Sequence, residues 1–406
     1  MFKKNTKKSF YFCMIIIIIL CSIPFPFAFA KNSLNANKQT NSFPVISSRA
    51  YAILDRDSGK LLLGKSENTI KKMASTTKIM TAILILENCH LQDIVTVSQK
   101  ASSIGGSKIG LKKGDKITVE NLLYGLLVYS GNDTAIALAE HLGGTVDGFS
   151  KIMNEKASSL GLINTNFVTP HGLDADNHYT TAYELALLTN YALENKTFTQ
   201  MVSTKSITIT INNYPKQIKN TNALLGSLNG VYGVKTGFTN GAYKCLVTAC
   251  KRNNLDIICV VLGSDTSKIR IDDTTNLLEY TFSNFKKINL QNLFDSQFNS
   301  FLEQKKNAIN VSKSKHNNLE LYIKHLDCAI IPLNKADIPN LKVHCCFSNN
   351  FEAPLKEGAY IGSIYISLNN TLISSSPIHL ANEVNKKDIL SNFIELVSII
   401  REFFNT

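Results

Sequence analysis

"VYGVKTGFTNGAYKCLVTACKRNNLDIICVVLGS", Val231 to Ser264, decides the architecture. Three runs of strand character are separated by Asn240-Gly241 and by Asn253-Asn254. Asn-Gly between such runs is a strong short-range hairpin signal, because tight hairpin turns need residues that tolerate positive φ. The stretch predicts three consecutive antiparallel strands. Upstream, Arg49–Ser66 reads as another hairpin around Asp57-Ser58-Gly59. Helical patterns fill the space between: the run that follows Ser75, Thr118–Val128, Thr134–Leu142 closed by Gly143-Gly144, and Tyr179–Leu193. Ile271–Phe285 reads as a helix after the last strand. Strands at both ends with helices between predict an α+β domain over residues 47–287, one antiparallel sheet covered by helices, of about 240 residues.

Beyond Lys287 Asn, Ser and Lys rise, and short alternating segments appear, "LELYIKHL" and "AYIGSIYISLNNTLISSSPIHL" among them. Residues 288–382 read as a small β-rich second domain. Residues 383–406 repeat at helical period. Ile389, Phe393, Leu396, Val397, Ile400, Phe403 and Phe404 fall on one face, while Asp388, Asn392, Glu395, Ser398 and Glu402 fall elsewhere. A segment of about 20 residues with charges inside it should not span a bilayer; it is expected to lie in the interface, the alternative being a helix packed on its own protein.

The first thirty residues read as a secretory signal peptide. Lys3, Lys4, Lys7 and Lys8 form a positive start, Phe10 to Ile23 an apolar core, and Ala28-Phe29-Ala30 a cleavage signal. The apolar core is short for a membrane span, so an uncleaved anchor is the lesser reading. Leu20 before Cys21 is wrong for a lipoprotein signal. Residues 31–46 read as a loose polar leader.

With 44% hydrophobic and 18% charged residues among 406, the composition is that of a globular protein large enough for two domains. The formal charge of +12 falls to +8 once the four lysines of the signal leave. The basic residues are scattered, with no dense stripe and no interleaved aromatics, which excludes a nucleic-acid partner. Of nine cysteines, Cys13 and Cys21 leave with the signal. The remaining odd number, without Cys-x-x-Cys and placed in apolar runs, argues for buried thiols and against a disulfide framework. No metal motif is present among the dispersed histidines, and no cofactor is expected.

The chemistry starts at "MASTTKIMTA", residues 73–82. Ser75 and Lys78 are spaced i, i+3, which puts both on one helical face within side-chain reach. A serine hydroxyl needs a base. Burial and a second nearby cation would both disfavour the lysine's ammonium and make it one. The greasy run Ala82–Leu86 supplies the burial, and a helix start offers a free backbone N–H to a developing oxyanion. Ser130-Gly131-Asn132 sits in a break between helices, where a hydroxyl can relay a proton and a carboxamide can fix a lysine. Lys235-Thr236-Gly237 lies on the first strand of the opening trio. There Lys235 is the second cation, Thr236 offers a hydroxyl to a carboxylate, and Gly237 admits another backbone. An extended peptide could pair with that strand's edge. Each motif alone is weak; together, in this order and context, they are specific.

Ser75-x-x-Lys78, Ser130-x-Asn132 and Lys235-Thr236-Gly237 resemble the signature set of penicillin-binding proteins and serine β-lactamases. "YSGNDTAIALAEHLGG", "TPHGLDADNHYTTAYELA", "GVKTGFTNGAYKCLVTA" and "PLKEGAYIGSIYI" look more specifically like the low-molecular-weight D-alanyl-D-alanine carboxypeptidases. The resemblance runs from Arg49 to the C-terminus. It implies a β-lactamase-like fold and removal of the terminal D-alanine from peptidoglycan stem peptides, with β-lactams as inhibitors. It implies Ser75 as nucleophile, Lys78 as base and Ser130 as proton relay to the leaving D-alanine. Asn132 would position substrate and Lys78, and Lys235 and Thr236 would bind the terminal carboxylate beside Gly237. The oxyanion hole would be the N–H groups of Ser75 and Phe238. Arg270 in "SKIRIDD" matches a basic position near the site; His171 and His178 are expected to be structural.

The rivals are a DD-endopeptidase on the same scaffold, a class A β-lactamase and a non-catalytic wall-binding protein. Class A chemistry needs a Glu-x-x-Leu-Asn, and Glu184 begins "ELALLTN", with the wrong spacing. The intact motif triplet argues against a binding module. The expected location is the wall face of the cytoplasmic membrane, with peripheral anchoring through the terminal helix.

Overall fold

The computed structural model describes residues 42–305, 309–314, 319–326 and 329–404. The signal peptide, the leader up to residue 41, and Cys328 lie outside the described residues. The leader's last residues are not loose. Phe43 packs edge-on against Tyr280 at 5.0 Å, and Ile46 is buried.

β1 (Ala50–Asp55) turns at Gly59 into β2 (Leu61–Lys65). A 3-10 turn over Ala74–Thr77 leads directly into α1 (Lys78–Asn88). Then come β3 (Ile94–Thr96), α2 (Gln99–Ser103) and β4 (Lys116–Thr118). They are followed by α3 (Val119–Leu127), α4 (Asn132–Gly143) and α5 (Val146–Ser159). α6 (Ala182–Glu194) and α7 (Lys196–Val202) precede a hairpin of β5 (Ser206–Ile211) and β6 (Tyr214–Lys219). The expected trio is β7 (Val231–Thr239), β8 (Tyr243–Arg252) and β9 (Leu255–Ser264), and α8 (Ser267–Asn284) follows it. Thr118, Thr181 and Thr266 cap α3, α6 and α8 through their hydroxyls, satisfying backbone donors that a helix start leaves free.

The sheet runs β2-β1-β9-β8-β7, antiparallel throughout, with β7 at an edge. All ten residues of β9 are buried, because helices cover both faces. On one face Ala52, Leu54, Val247 and Val260 pack into the main core with α1, whose Ile79–Ile85 run is buried on every side. On the other, Ile53, Leu246, Ile257 and Val261 meet Leu277 and Leu278 of α8. Cys245, Cys250 and Cys259 are buried in these strands, where desolvation raises all three thiols, the first two to about 11; they pack as small hydrophobes.

Asn253-Asn254 forms a two-residue hairpin with both φ positive, and so do Asn369-Asn370 and Asn212-Asn213. The Asn240-Gly241 turn differs. Thr239 pairs with Tyr243, leaving a three-residue loop with the positive φ at Tyr243. Its shape follows from Asp174, whose carboxylate accepts the Thr239 hydroxyl at 2.8 Å and the Gly241 N–H at 2.9 Å.

The C-terminal region contains β10 (Phe285–Asn289), α9 (Leu290–Lys305), β11 (Asn310–Ser312), β12 (Leu321–Ile323) and β13 (Ile330–Asn334). β14 (Leu341–Phe347), β15 (Asn350–Glu352), β16 (Tyr360–Leu368) and β17 (Thr371–Leu380) complete it. Its main sheet runs β12-β17-β16-β14. Phe294, Phe298 and Phe301 of α9 form one core with Ile364, Ile366 and Ile378. That helix is an addition to the β-rich expectation. The chain ends in α10 (Ile389–Phe404), whose Ile389, Leu390, Phe393, Ile394 and Phe403 are exposed. Among the described residues no helix is long and apolar enough to cross a membrane.

The centre of the main core sets a stability expectation. Ile83→Ala, at a position 1% exposed, should lower unfolding free energy by about 2–5 kcal/mol in urea titrations, through lost burial plus a cavity.

Candidate active site

Ser75 lies in the 3-10 turn, and Lys78 is the first residue of α1. The α-helical start expected at Ser75 is thus a tighter turn, and tightness helps: at three residues per turn, side chains at i and i+3 eclipse. Lys78 Nζ sits 2.9 Å from Ser75 Oγ. It also donates to Asn132 Oδ1 at 2.8 Å and to the His171 carbonyl at 2.9 Å. Asn132 Nδ2 donates to the Gly105 carbonyl at 2.7 Å, which fixes the amide with its oxygen toward the lysine. Lys78 is completely buried. Burial first, and the charge of Lys235 second, push its pKa well below the ordinary lysine value, while Asp133 opposes this more weakly. A neutral amine has two protons and one lone pair. The Asn132 and His171 oxygens can only accept, so the lone pair must face the Ser75 hydroxyl.

Ser130 stands between α3 and α4 at φ +70°, an uncommon conformation for a residue with a Cβ. Its Oγ accepts from Lys235 Nζ at 2.9 Å, and the same ammonium donates to the Thr236 carbonyl at 3.0 Å. Lys235 is buried, and desolvation, aided by Arg270, lowers its pKa to about 7. Gly237 is needed for approach. A Cβ there would lie 3.0 Å from Ala74 Cβ and 3.1 Å from Ser75 N, tighter than ordinary contact. Glycine thus brings β7 against the serine turn.

These groups converge on a cleft of about 260 Å³. Ser75, Ser130, Asn132, Thr236, Gly237 and Arg270 line it, as does the exposed ring of Phe238. Lys78 and Lys235 reach it from beneath through the hydroxyls they hold. Arg270, near the start of α8, donates to the Cys245 carbonyl at 3.3 Å, and its buried Nε has no partner among the described residues. All nine residues expected from the sequence are therefore brought to one place.

The two histidines hold backbone. His178 Nδ1 accepts the Val168 N–H at 2.9 Å, so its Nε2 carries the proton and donates to Thr77 Oγ1, also at 2.9 Å. Thr77 in turn donates to the Ala74 carbonyl at 2.8 Å. His171 Nδ1 accepts the Leu173 N–H at 3.1 Å. Burial keeps both neutral, lowering His171 to about 3 and His178 to about 4.

Sequence reasoning missed two residues. Asp133, next to Asn132, takes the N–H groups of Ile109, Gly110 and Leu111 on its carboxylate at 2.9–3.1 Å, and that of Thr134 at 3.0 Å. This pins the loop whose Gly106 and Ser107 form one cleft wall. Its adjacency to the second motif was the available signal. Thr221 lines the cleft with its Oγ1 2.7 Å from Thr236 Oγ1, and no pattern in the sequence marked it.

The architecture and the triple motif define a class, the α+β serine peptidases with a lysine beside the serine. Residues 37–266 match the family profile of Peptidase_S11, D-alanyl-D-alanine carboxypeptidase, and residues 300–386 match the C-terminal domain of penicillin-binding protein 5. The chain is 32% identical over 372 residues to the D-alanyl-D-alanine carboxypeptidase DacF of Bacillus subtilis, covering 90% of this chain and 92% of that one. To DacC of Escherichia coli it is 32% identical over 378 residues, covering 89% and 90%. The crystal structure of DacD from Francisella tularensis superposes with a TM-score of 0.67 at 26% identity, covering 86% of this chain and 96% of that one. The Streptomyces K15 DD-transpeptidase matches at a TM-score of 0.57 and 35% identity over 59% of this chain and 98% of that one. The chain belongs to the D-alanyl-D-alanine carboxypeptidase family.

Asp133→Ala should destabilise the protein by more than about 3 kcal/mol in urea titrations, because four backbone donors lose a charged acceptor.

Proposed function

We propose that this chain is a serine-type D-alanyl-D-alanine carboxypeptidase that acylates Ser75 with peptidoglycan stem peptides and is inhibited by β-lactams at the same serine. The observation that carries the reading is the completely buried Lys78 Nζ, 2.9 Å from Ser75 Oγ and held by the Asn132 and His171 oxygens. Ser75 Oγ attacks the carbonyl of the penultimate D-alanine and gives its proton to Lys78 Nζ. The oxyanion is held by the N–H groups of Ser75 and Phe238, in the gap that Gly237 leaves clear. The C–N bond breaks, and the leaving amine takes its proton from Ser130 Oγ, which recovers one from the Lys78 ammonium, so that both groups return to their starting states. Water then hydrolyses the ester. Lys235 and Thr236 bind the terminal carboxylate, and the unpartnered Nε of Arg270 supports a share for that residue. Asn132 orients both substrate and Lys78.

The chain acts outside the cytoplasmic membrane on this reading, exported by residues 1–30. It rests on the membrane surface through α10, a role supported by the exposed Ile389, Phe393 and Phe403. Vesicle co-sedimentation of the mature chain, lost on removal of residues 388–406, checks the anchoring; equal sedimentation of both forms refutes it.

Incubation with a fluorescent penicillin, followed by intact mass and a peptide map, should give a stable adduct on Ser75 that is absent in Ser75→Ala. A folded protein that takes no label would sink the assignment, and rapid turnover of penicillin would make it a β-lactamase. The pH profile follows from the two lysines. Acylation needs Lys78 neutral, so it rises with pH through that group's lowered pKa. Binding needs Lys235 charged, so kcat/KM falls as pH rises through about 7. A bound carboxylate favours the Lys235 ammonium, so the falling limb of kcat should lie at higher pH than that of kcat/KM. Lys235→Arg should move the kcat/KM limb upward.

A further inference from the structure

The cleft holds a cation that the reaction does not use. Lys244 lines it beside Phe238, Ser267 and Arg270. It is rooted on β8, directly across from Phe238 on β7, yet its Nζ lies 3.2 Å from the centre of the Phe238 ring. The ammonium is thus carried over β7, about one strand spacing of 5 Å nearer the open edge than its own backbone. Among the described residues it has no carboxylate partner, and none of those lining the cleft is an acid. The acids of neighbouring segments are committed elsewhere: Asp174 to Thr239 and Gly241, Asp265 to Arg49, Asp272 to Lys268, and Asp273 to Ser48. Two more positive groups share the wall. Arg270 is 9% exposed, with its buried Nε unpartnered among the described residues. Ser267 is the first residue of α8, which brings the positive end of that helix's dipole to the cleft. Burial first, and the charge of Arg270 second, lower the Lys244 pKa. An anion at this wall would favour all three groups.

The strand register says which anion. On the acyl-enzyme reading of Ser75, the terminal carboxylate lies at Thr236 and the scissile carbonyl at the Phe238 N–H. The substrate therefore runs antiparallel to β7, and its upstream residues pass Phe238 toward Thr239. Thr236 is paired with Leu246, and Phe238 with Lys244. Lys244 thus stands one step of the pleat upstream of the terminal carboxylate, beside the residue that precedes the two D-alanines. The methylenes of a long side chain there can lie on the Phe238 ring, which is 51% exposed. A carboxylate at its end meets Lys244, whereas a lone ammonium meets three positive groups.

We propose that Lys244, held over the Phe238 ring, is a specificity-determining residue that selects stem peptides whose residue before the two D-alanines is a diamino dicarboxylic acid with its side-chain carboxylate free. This rests on the acyl-enzyme reading of Ser75 and adds no step to it. Amidation of that carboxylate, or its replacement by a side chain ending in an ammonium, removes the contact while leaving the apolar stem on Phe238.

The test uses the mature chain and three pentapeptides that differ only in the residue before the two D-alanines: meso-diaminopimelate, the same residue with its side-chain carboxylate amidated, and L-lysine. D-alanine release gives kcat/KM for each. The wild type should favour the free carboxylate over its amide by about ten-fold, the worth of one charge-assisted contact, and over lysine by at least as much. Lys244→Gln should bring the carboxylate-to-amide ratio close to one, and Lys244→Arg should keep it. Lys244→Met, which leaves an apolar stem over the ring, repeats the test should thermal melts show the Gln variant unfolded. Each ratio is taken within one variant, so a general loss of activity does not mimic the effect. Equal kcat/KM for carboxylate and amide in the wild type, or an unchanged ratio in the uncharged variants, overturns the subsite and leaves the carboxypeptidase reading intact. No release from any of the three also overturns it, and if penicillin leaves no adduct on Ser75 as well, the reading beneath it falls too.

Discussion

One buried amine governs the catalytic half of this molecule. Lys78 has no exposed surface, and removing an ammonium from water costs several kcal/mol even after relaxation. Three oxygens from three distant segments meet it: the Ser75 hydroxyl, the Asn132 amide and the His171 carbonyl. A charged lysine could donate to all three. A neutral one donates to only two, and keeps the third contact by accepting the proton that the serine turns toward nitrogen. The burial that opposes the charged form in folding is thus the term that makes the neutral form a base, and the fixed acceptors direct that basicity to one atom.

Holding three segments around one nitrogen needs anchors that have nothing to do with the reaction. Asp133 binds the 109–111 backbone to the start of α4. The chain His178, Thr77, Ala74 ties the segment bearing the His171 carbonyl to the serine turn. Gly172, at φ +84°, lies so close to the Ala74 carbonyl that no Cβ could fit. Ala74 at φ +49° and Ser130 at φ +70° are held in a region that costs a non-glycine residue of order 1–3 kcal/mol. Both flank the reacting groups, and hydrogen bonds to the Ala74 carbonyl and the Ser130 hydroxyl hold their surroundings.

What the sequence made legible follows the range of the physics behind each signal. Turn chemistry is local, so Asn253-Asn254 located its hairpin; the same dipeptide at Asn212-Asn213 carried an equal signal for β5–β6 and went unread. The spacing Phe294, Phe298, Phe301 was likewise a helical stripe inside a region taken as β. The motif residues were legible because side-chain type states the chemistry. The His171 carbonyl was not, since every residue has one and only tertiary placement selects it. Thr221 was hidden for the same reason: its partner lies on a distant strand, and a threonine in a polar loop has no pattern of its own.

β7 shows how one constraint can serve both folding and specificity. An edge strand invites pairing with any extended chain. Along its first half that edge is occupied, with Asn222 bonded to the Gly233 carbonyl and Thr221 against Thr236. Only the short stretch at Gly237 and the exposed Phe238 remains open, and Gly237 sets it beside Ser75. A long strand cannot dock on so little edge, but a flexible peptide tail can. On the proposed reading, the covering that guards the sheet against association is what restricts access to peptide termini lying across the serine.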